Sequence, residues 1–264
     1  FRRPIEFIGK PRKFQSEAAE VMYERERGLV QAPPRSGKTV LGSMLLCRIG
    51  KKALILAHQR DWLLNFRETF VGSETQPRMT NARKSQVGFC STVEDFEKTD
   101  ICLATFAQFM NPKGRKTLAK IRHMFEVVIV DEAHRTPAKE SASVLVEFNS
   151  RYRLGLSATP DRKDGRYILA EQFLGPVLYE AKVERMRPRI QLLETGYSFK
   201  PAFNGQAAFG RMTSKIETHH QRREMIIKKA LQLASEGHFV IIPMRRVLAI
   251  HKLALLINQE AEDD

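Results

Sequence analysis

Up to about residue 185, short apolar runs alternate with longer amphipathic stretches. The runs GLVQA (28–32), KALILAH (52–58), ICLATF (101–106), VVIVDE (127–132) and YRLGLSA (152–158) have the length and aliphatic content of buried strands. Helix-like segments separate several of them. A strand that is apolar throughout is buried on both faces, so the pattern predicts an α/β fold: a parallel sheet with helices on both sides. No unit repeats with a period of about 20 to 50 residues, and there is no low-complexity tract.

The pattern changes after residue 185. RMRPRIQLLETGYSFKPAFNGQAAFG scatters Pro, Gly and Asn and predicts an extended connector over 186–213. An amphipathic helix over about 214–235, an apolar strand HFVIIPM (238–244) and a helix over 246–258 are expected next. One strand between two helices cannot make a sheet. The expected organisation is therefore a first domain at 1–185, a connector at 186–213, and the start of an incomplete second α/β lobe at 214–264.

Composition adds bounds. With 264 residues, 42% hydrophobic and 28% charged, the chain can bury a sizeable core. No stretch approaches the ~18 apolar residues of a membrane span, so no membrane partner is expected. The opening FRRPIEFIGKPRK lacks the apolar centre of a secretion signal and has no initiator Met. The three cysteines form no CxxC pair, which suits a reducing intracellular setting, cytoplasmic or nuclear. A net charge of +14 favours a polyanionic partner, although charge alone leaves a merely solvated basic surface open.

The chemistry concentrates in two segments. QAPPRSGKTV (31–40) runs from an apolar strand into a helix start, where backbone N–H groups and the helix dipole suit a phosphate chain. Gly37 lets backbone approach the phosphates, Lys38 supplies a cation, and Thr39 offers a hydroxyl to Mg²⁺. The strict phosphate-loop pattern fails at Ala32, where Gly is usual, so alone the segment also fits an ordinary strand-turn-helix. In VVIVDEAH, Asp131 and Glu132 end an apolar strand at the sheet edge where ligands collect. An Asp there can hold Mg²⁺ and the adjacent Glu can polarise an attacking water. Together the two segments disfavour the reading in which the carboxylates only cap a helix.

APPRSGKT, DEAH and SATP, in this order, resemble motifs I, II and III of the superfamily-2 helicases and translocases, in which motif I begins with Ala. LGLSATPDRKDG (154–165) is similar to the signature of the branch that contains the XPB and UvsW helicases and the motors of type I and III restriction enzymes. Further matches run from RKFQSEA near the start to RRVLAIHKLALLI near the end. The resemblance implies a RecA-like lobe that binds ATP and Mg²⁺. It gives Gln15 the adenine edge, with Arg12 and Phe14 beside it, and the phosphates to Pro34, Arg35, Ser36, Gly37, Lys38 and Thr39. It gives the metal to Thr39 and Asp131, and the hydrolytic water to Glu132. His134, Ser157 and Thr159 would link nucleotide state to lobe motion. Gln59, Arg60 and Thr105, in segments like motifs Ia and Ib, and Arg162, in the branch signature, would meet nucleic acid. A plain solvated helix start competes for Arg60.

Two departures accompany the resemblance. Arg35 stands where a small residue is usual, and its side chain is expected to point away from the phosphates or lie along them. No motif V or VI follows residue 245, so the arginine finger of a second lobe is lacking and the chain as given is expected to hydrolyse ATP poorly. The expected function is an ATP-driven motor on DNA, double-stranded or branched sooner than RNA, with room for further domains or subunits. The alternatives are a nucleic-acid binding module with weak or no ATPase activity, and a small-molecule kinase. The kinase lacks a recognisable acceptor site or lid.

Overall fold

The computed structural model describes residues 1–133, 139–158, 167–182, 190–196 and 206–263. His134, Thr159 and Arg162 lie outside the described residues. The chain divides into two compact units, Phe1–Arg185 and Met186–Asp264.

The first unit is built on a parallel seven-stranded sheet. The strands are β1 (Arg27–Gln31), β2 (Ala53–Ala57), β3 (Val87–Phe89), β4 (Ile101–Thr105), β5 (Val127–Asp131), β6 (Tyr152–Ser157) and β7 (Val177–Glu180). Their spatial order is β3-β4-β2-β5-β6-β1-β7, and every pairing between neighbours is parallel. All five expected strands form. The two that went unread are VGF, three residues with a central Gly, and VLYE, a half-exposed edge strand. Neither carries the apolar run that signals a buried strand.

Helices cover both faces. On one, α1 (Lys13–Arg25), α2 (Lys38–Ile49) and α3 (Arg60–Val71) pack Met22, Leu45, Phe66 and Phe70 over Val30, Ile55, Ile129 and Leu156. On the other, α4 (Val93–Lys98), α5 (Pro112–Ile121), α6 (Lys139–Leu145) and α7 (Tyr167–Leu174) close a second core with Phe96, Phe109, Leu118 and Leu174 over Leu54, Leu56, Cys102 and Val130. Residues 54, 55 and 56 alternate between the two cores, as period-two side chains on a doubly covered strand must. Among the described residues no helix is long and apolar enough to cross a membrane.

The second unit departs from expectation. Its described elements are three helices, α8 (Gln206–Thr218), α9 (His220–Ser235) and α10 (Val247–Asp263). The end of the expected connector is therefore helical from Gln206. The single helix expected over 214–235 is two helices, with His219 as the N-cap of α9. HFVIIPM forms no strand, and Phe239 and Ile241 are exposed. Among the described residues of this unit no strand lies beside it to satisfy its N–H and C=O groups, and Pro243 has no N–H to offer.

Gly155, in β6 between β5 and β1, is packed on Leu29, and a Cβ there would also meet Leu174 Cδ1 at 2.9 Å and Ala133 Cβ at 3.1 Å. Gly155→Ala is expected to lower unfolding free energy by about 1–3 kcal/mol, measured by urea titration of the intact chain.

Candidate functional site: the loop after β1 and the carboxylates after β5

β1 ends at Gln31, opposite Ser157 at the end of β6, and the Ala32 N–H donates to the Ser157 carbonyl at 2.9 Å. The chain then turns sharply. Ser36 N–H donates to the Pro33 carbonyl at 3.2 Å, Arg35 takes a left-handed φ of 61°, and Gly37 takes φ 93° before α2 begins at Lys38. Arg35 is exposed on the rim, as its bulk requires. A Cβ on Gly37 would strike the Gln15 amide, so glycine is needed there for space as well as for φ.

The loop is buttressed from α1. Arg12 Nη1 donates to the Ser36 carbonyl at 3.0 Å, and Gln15 Nε2 donates to the Gly37 carbonyl at 3.0 Å, while Gln15 Oε1 accepts the Arg12 N–H at 2.7 Å. Gln15 is 3% exposed, and its amide is engaged with the loop and the start of α1. Arg12 and Phe14 line a separate hollow of about 580 Å³ with Tyr179.

β6 lies between β1 and β5, so the loop and the acidic pair start about 10 Å apart, two strand spacings. Their side chains close that gap. Lys38, 9% exposed, places Nζ 3.4 Å from Glu132 Oε1 and 3.4 Å from the Ala32 carbonyl. Glu132 takes φ 50°, and its N–H donates to Asp131 Oδ1 at 3.0 Å. Burial, reinforced by the charge of Glu132, pushes the Asp131 carboxyl up to about 6, against the pull of the Glu132 N–H and Lys38.

A cavity of about 500 Å³ is lined by Pro34, Arg35, Gly37, Lys38, Thr39, Asp131 and Glu132. Val40, Trp62, Asn65, Thr69 and Gln76 complete its wall. Trp62 was not among the expected site residues. Positions 62, 65 and 69 form a helical stripe beside the core stripe of Leu63, Phe66 and Phe70, and that offset was the available signal.

The residues present fit a magnesium nucleotide. Ser36 Oγ is buried with no hydrogen-bond partner among the described residues, an orphan hydroxyl inside the loop. Thr39 and Asp131 supply the oxygen donors that a hard divalent cation takes.

The other expected positions lie along the same carboxyl edge of the sheet. Gln59 is the exposed N-cap of α3, and the Arg60 guanidinium stacks over the Phe89 ring with 3.8 Å to its centroid. Phe89 was not foreseen as its support. Thr105 ends β4, and its N–H donates to Gln108 Oε1 at 3.2 Å. Ser157 is fully buried at the end of β6.

A strand-to-helix loop with a buried lysine, facing paired carboxylates across one strand of a parallel sheet, defines a P-loop protein of RecA-like fold. The family described as Type III restriction enzyme, res subunit, matches residues 8–162, and the chain belongs to it. "DNA 3'-5' translocase XPB2" of Sulfurisphaera tokodaii is 26% identical over 175 residues, covering 66% of this chain and 36% of the relative. "Probable helicase D10" of Escherichia phage T5 is 26% identical over 262 residues, covering 96% of this chain and 53% of the relative. The chain thus spans about half or less of these relatives' lengths. The crystal structure of the Pyrococcus furiosus Hef helicase domain superposes with a TM-score of 0.56 at 17% identity, covering 96% of this chain and 54% of that one, a likeness of fold.

Two outcomes are expected. In metal-free buffer the folded Asp131 carboxyl keeps a proton that the unfolded chain gives up, so its contribution to stability is lost as pH rises from about 4 to about 6. Relative to Asp131→Asn, wild type should lose about 2–3 kcal/mol across that window in urea titrations. Arg35→Gly removes a left-handed side chain from the rim. It should stabilise the fold by up to about 1 kcal/mol and change nucleotide affinity less than about threefold by calorimetry, equivalent to roughly 0.6 kcal/mol.

Proposed function

We propose that this chain is the nucleotide-binding part of an ATP-driven motor that acts on DNA. The observation that carries the reading is the convergence of Gly37, Lys38, Thr39, Asp131 and Glu132 on one cavity. Family membership and relatives named as helicase and translocase support it.

Without nucleotide, Lys38 and Glu132 neutralise each other. A triphosphate in the loop would draw the Lys38 ammonium to its phosphate oxygens, leaving Glu132 Oε1 to accept a hydrogen bond from a water and hold that water for attack. Mg²⁺, held by Thr39 and Asp131, would neutralise charge on the phosphates. Asp131 would then act ionised, since a nearby cation favours the carboxylate. Gln15 and Arg12 hold the loop from behind, and in this reading an adenine would lie on their side of it. Ser157, hydrogen-bonded through its carbonyl to the start of the loop, together with His134 and Thr159, would relay nucleotide state to a second lobe begun by residues 214–264.

Gln59, Arg60 and Thr105 would meet sugar-phosphate backbone, with Arg162 from the motor signature, and most contacts would carry no base information. Double-stranded or branched DNA is the preferred partner because the relatives matched include a DNA translocase. An intracellular setting, cytoplasmic or nuclear, follows from that partner.

The test is ATP turnover by the complete natural protein, with and without duplex DNA, beside Lys38→Ala and Glu132→Gln. DNA-stimulated turnover that falls at least about 100-fold in both variants is expected. Turnover indifferent to DNA would refute the motor. DNA binding untouched by either change, with no turnover in wild type, would identify a nucleic-acid binding module instead.

A further inference from the structure

Part of the charge on α5 has no partner among the described residues. Between Asp100 and Glu126 the sequence holds no acidic residue and five basic ones, Lys113, Arg115, Lys116, Lys120 and Arg122. Two of the five are occupied: Arg115 Nη1 donates to the Ser143 carbonyl at 3.0 Å, and Arg122 Nη1 lies 2.9 Å from Glu147 Oε2.

The other three form one surface. Lys113, Lys116 and Lys120 are spaced i, i+3, i+7, so they share a helix stripe, and all three are exposed. The opposite face buries Gly114, Leu118 and Ile121. None of the three lysines makes an ion pair among the described residues.

This arrangement costs stability. α5 has no acid in its first turn, where the helix dipole favours one, and instead places Lys113 and Lys116 near its N-terminus. Like charges three and four apart repel as well. Elsewhere in the same unit such lysines are compensated, Lys13 by Glu17 and Lys98 by Glu94 at i, i+4.

The stripe is also held in place relative to the candidate nucleic-acid edge. Gly114 packs directly on the Gln108 carbonyl, so close that a Cβ would strike it. Gln108 accepts the Thr105 N–H and donates to the Cys90 carbonyl at 3.0 Å. The helix that carries the lysines is therefore tied, through Gln108, to Thr105. Seven residues of helix carry them over about 10 Å, roughly three phosphates at the axial rise of a DNA strand.

We propose that Lys113, Lys116 and Lys120 form a phosphate-tracking stripe that takes the backbone of duplex DNA beyond the contacts at Thr105, without reading bases. This rests on the reading of the chain as a DNA motor. It adds a surface outside the motifs that support that reading.

Salt dependence measures such contacts by count. Affinity of the complete natural protein for a fluorescent duplex of arbitrary sequence is measured against NaCl concentration. The comparison is among wild type, the triple variant Lys113→Gln/Lys116→Gln/Lys120→Gln, and the charge-retaining triple Lys→Arg variant. Each lost phosphate contact lowers the slope of log affinity against log salt by about 0.9. The Gln variant should lose about 2 to 3 units of slope, and the Arg variant should keep it.

Thermal unfolding checks the fold, and the Gln variant should be at least as stable as wild type because it sheds the repulsion. A steep wild-type slope that the Gln variant retains would show a solvated face and overturn the stripe alone. A slope loss seen with single strands but not with duplex would overturn the duplex assignment. Wild type that binds no DNA at low salt would bring down the motor reading along with the stripe.

Discussion

An ammonium group that is nine-tenths buried must be given a counter-charge, and Lys38 meets that requirement with Glu132 across an intervening strand. The pairing fixes much else. It requires the loop after β1 and the end of β5 to reach the same level at the carboxyl edge, which the parallel register provides by setting Gln31 against Ser157 and Asp131 against Leu156. It also puts two carboxylates and one ammonium in a confined space. Burial, and after it the charge of Glu132, pushes the Asp131 carboxyl up, and a divalent cation would offset both by favouring the carboxylate.

Much of this was legible in the sequence because it depends on local pattern. Five apolar runs marked five strands, and strand-to-helix chemistry marked the loop. What escaped depends on contacts distant in sequence. VGF and VLYE are strands only because β4 and β1 offer them partners. Phe89 matters as a support because β3 lies beside β4 and brings its ring under Arg60. HFVIIPM misled in the opposite direction, having strand composition without a neighbouring strand among the described residues of its unit. Gln15 was expected at a base edge. Its amide also braces the loop, a role that only the approach of α1 to Gly37 reveals.

Two residues with left-handed backbone, Arg35 and Glu132, flank the cavity. At Arg35 the conformation turns a long side chain to solvent and leaves the loop interior clear. At Glu132 it ends the strand abruptly, so that consecutive carboxylates, which would point to opposite faces in a continuing strand, both border one cavity. Local strain of this kind persists only where surrounding structure determines it, here the Glu132 N–H bond to Asp131 and the ion pair to Lys38.

The sheet separates the interior into two cores, and the two charged features rest on different ones: α2, with the nucleotide loop at its head, on the first, and α5, with its lysines, on the second. Side chains under one can be exchanged by drift while packing under the other stays as it was, since the strands between them transmit little beyond their own backbone positions. A lineage of such proteins could thus retune its grip on a polyanion without disturbing how it holds a triphosphate, a modularity arising from the alternation of side chains along a strand.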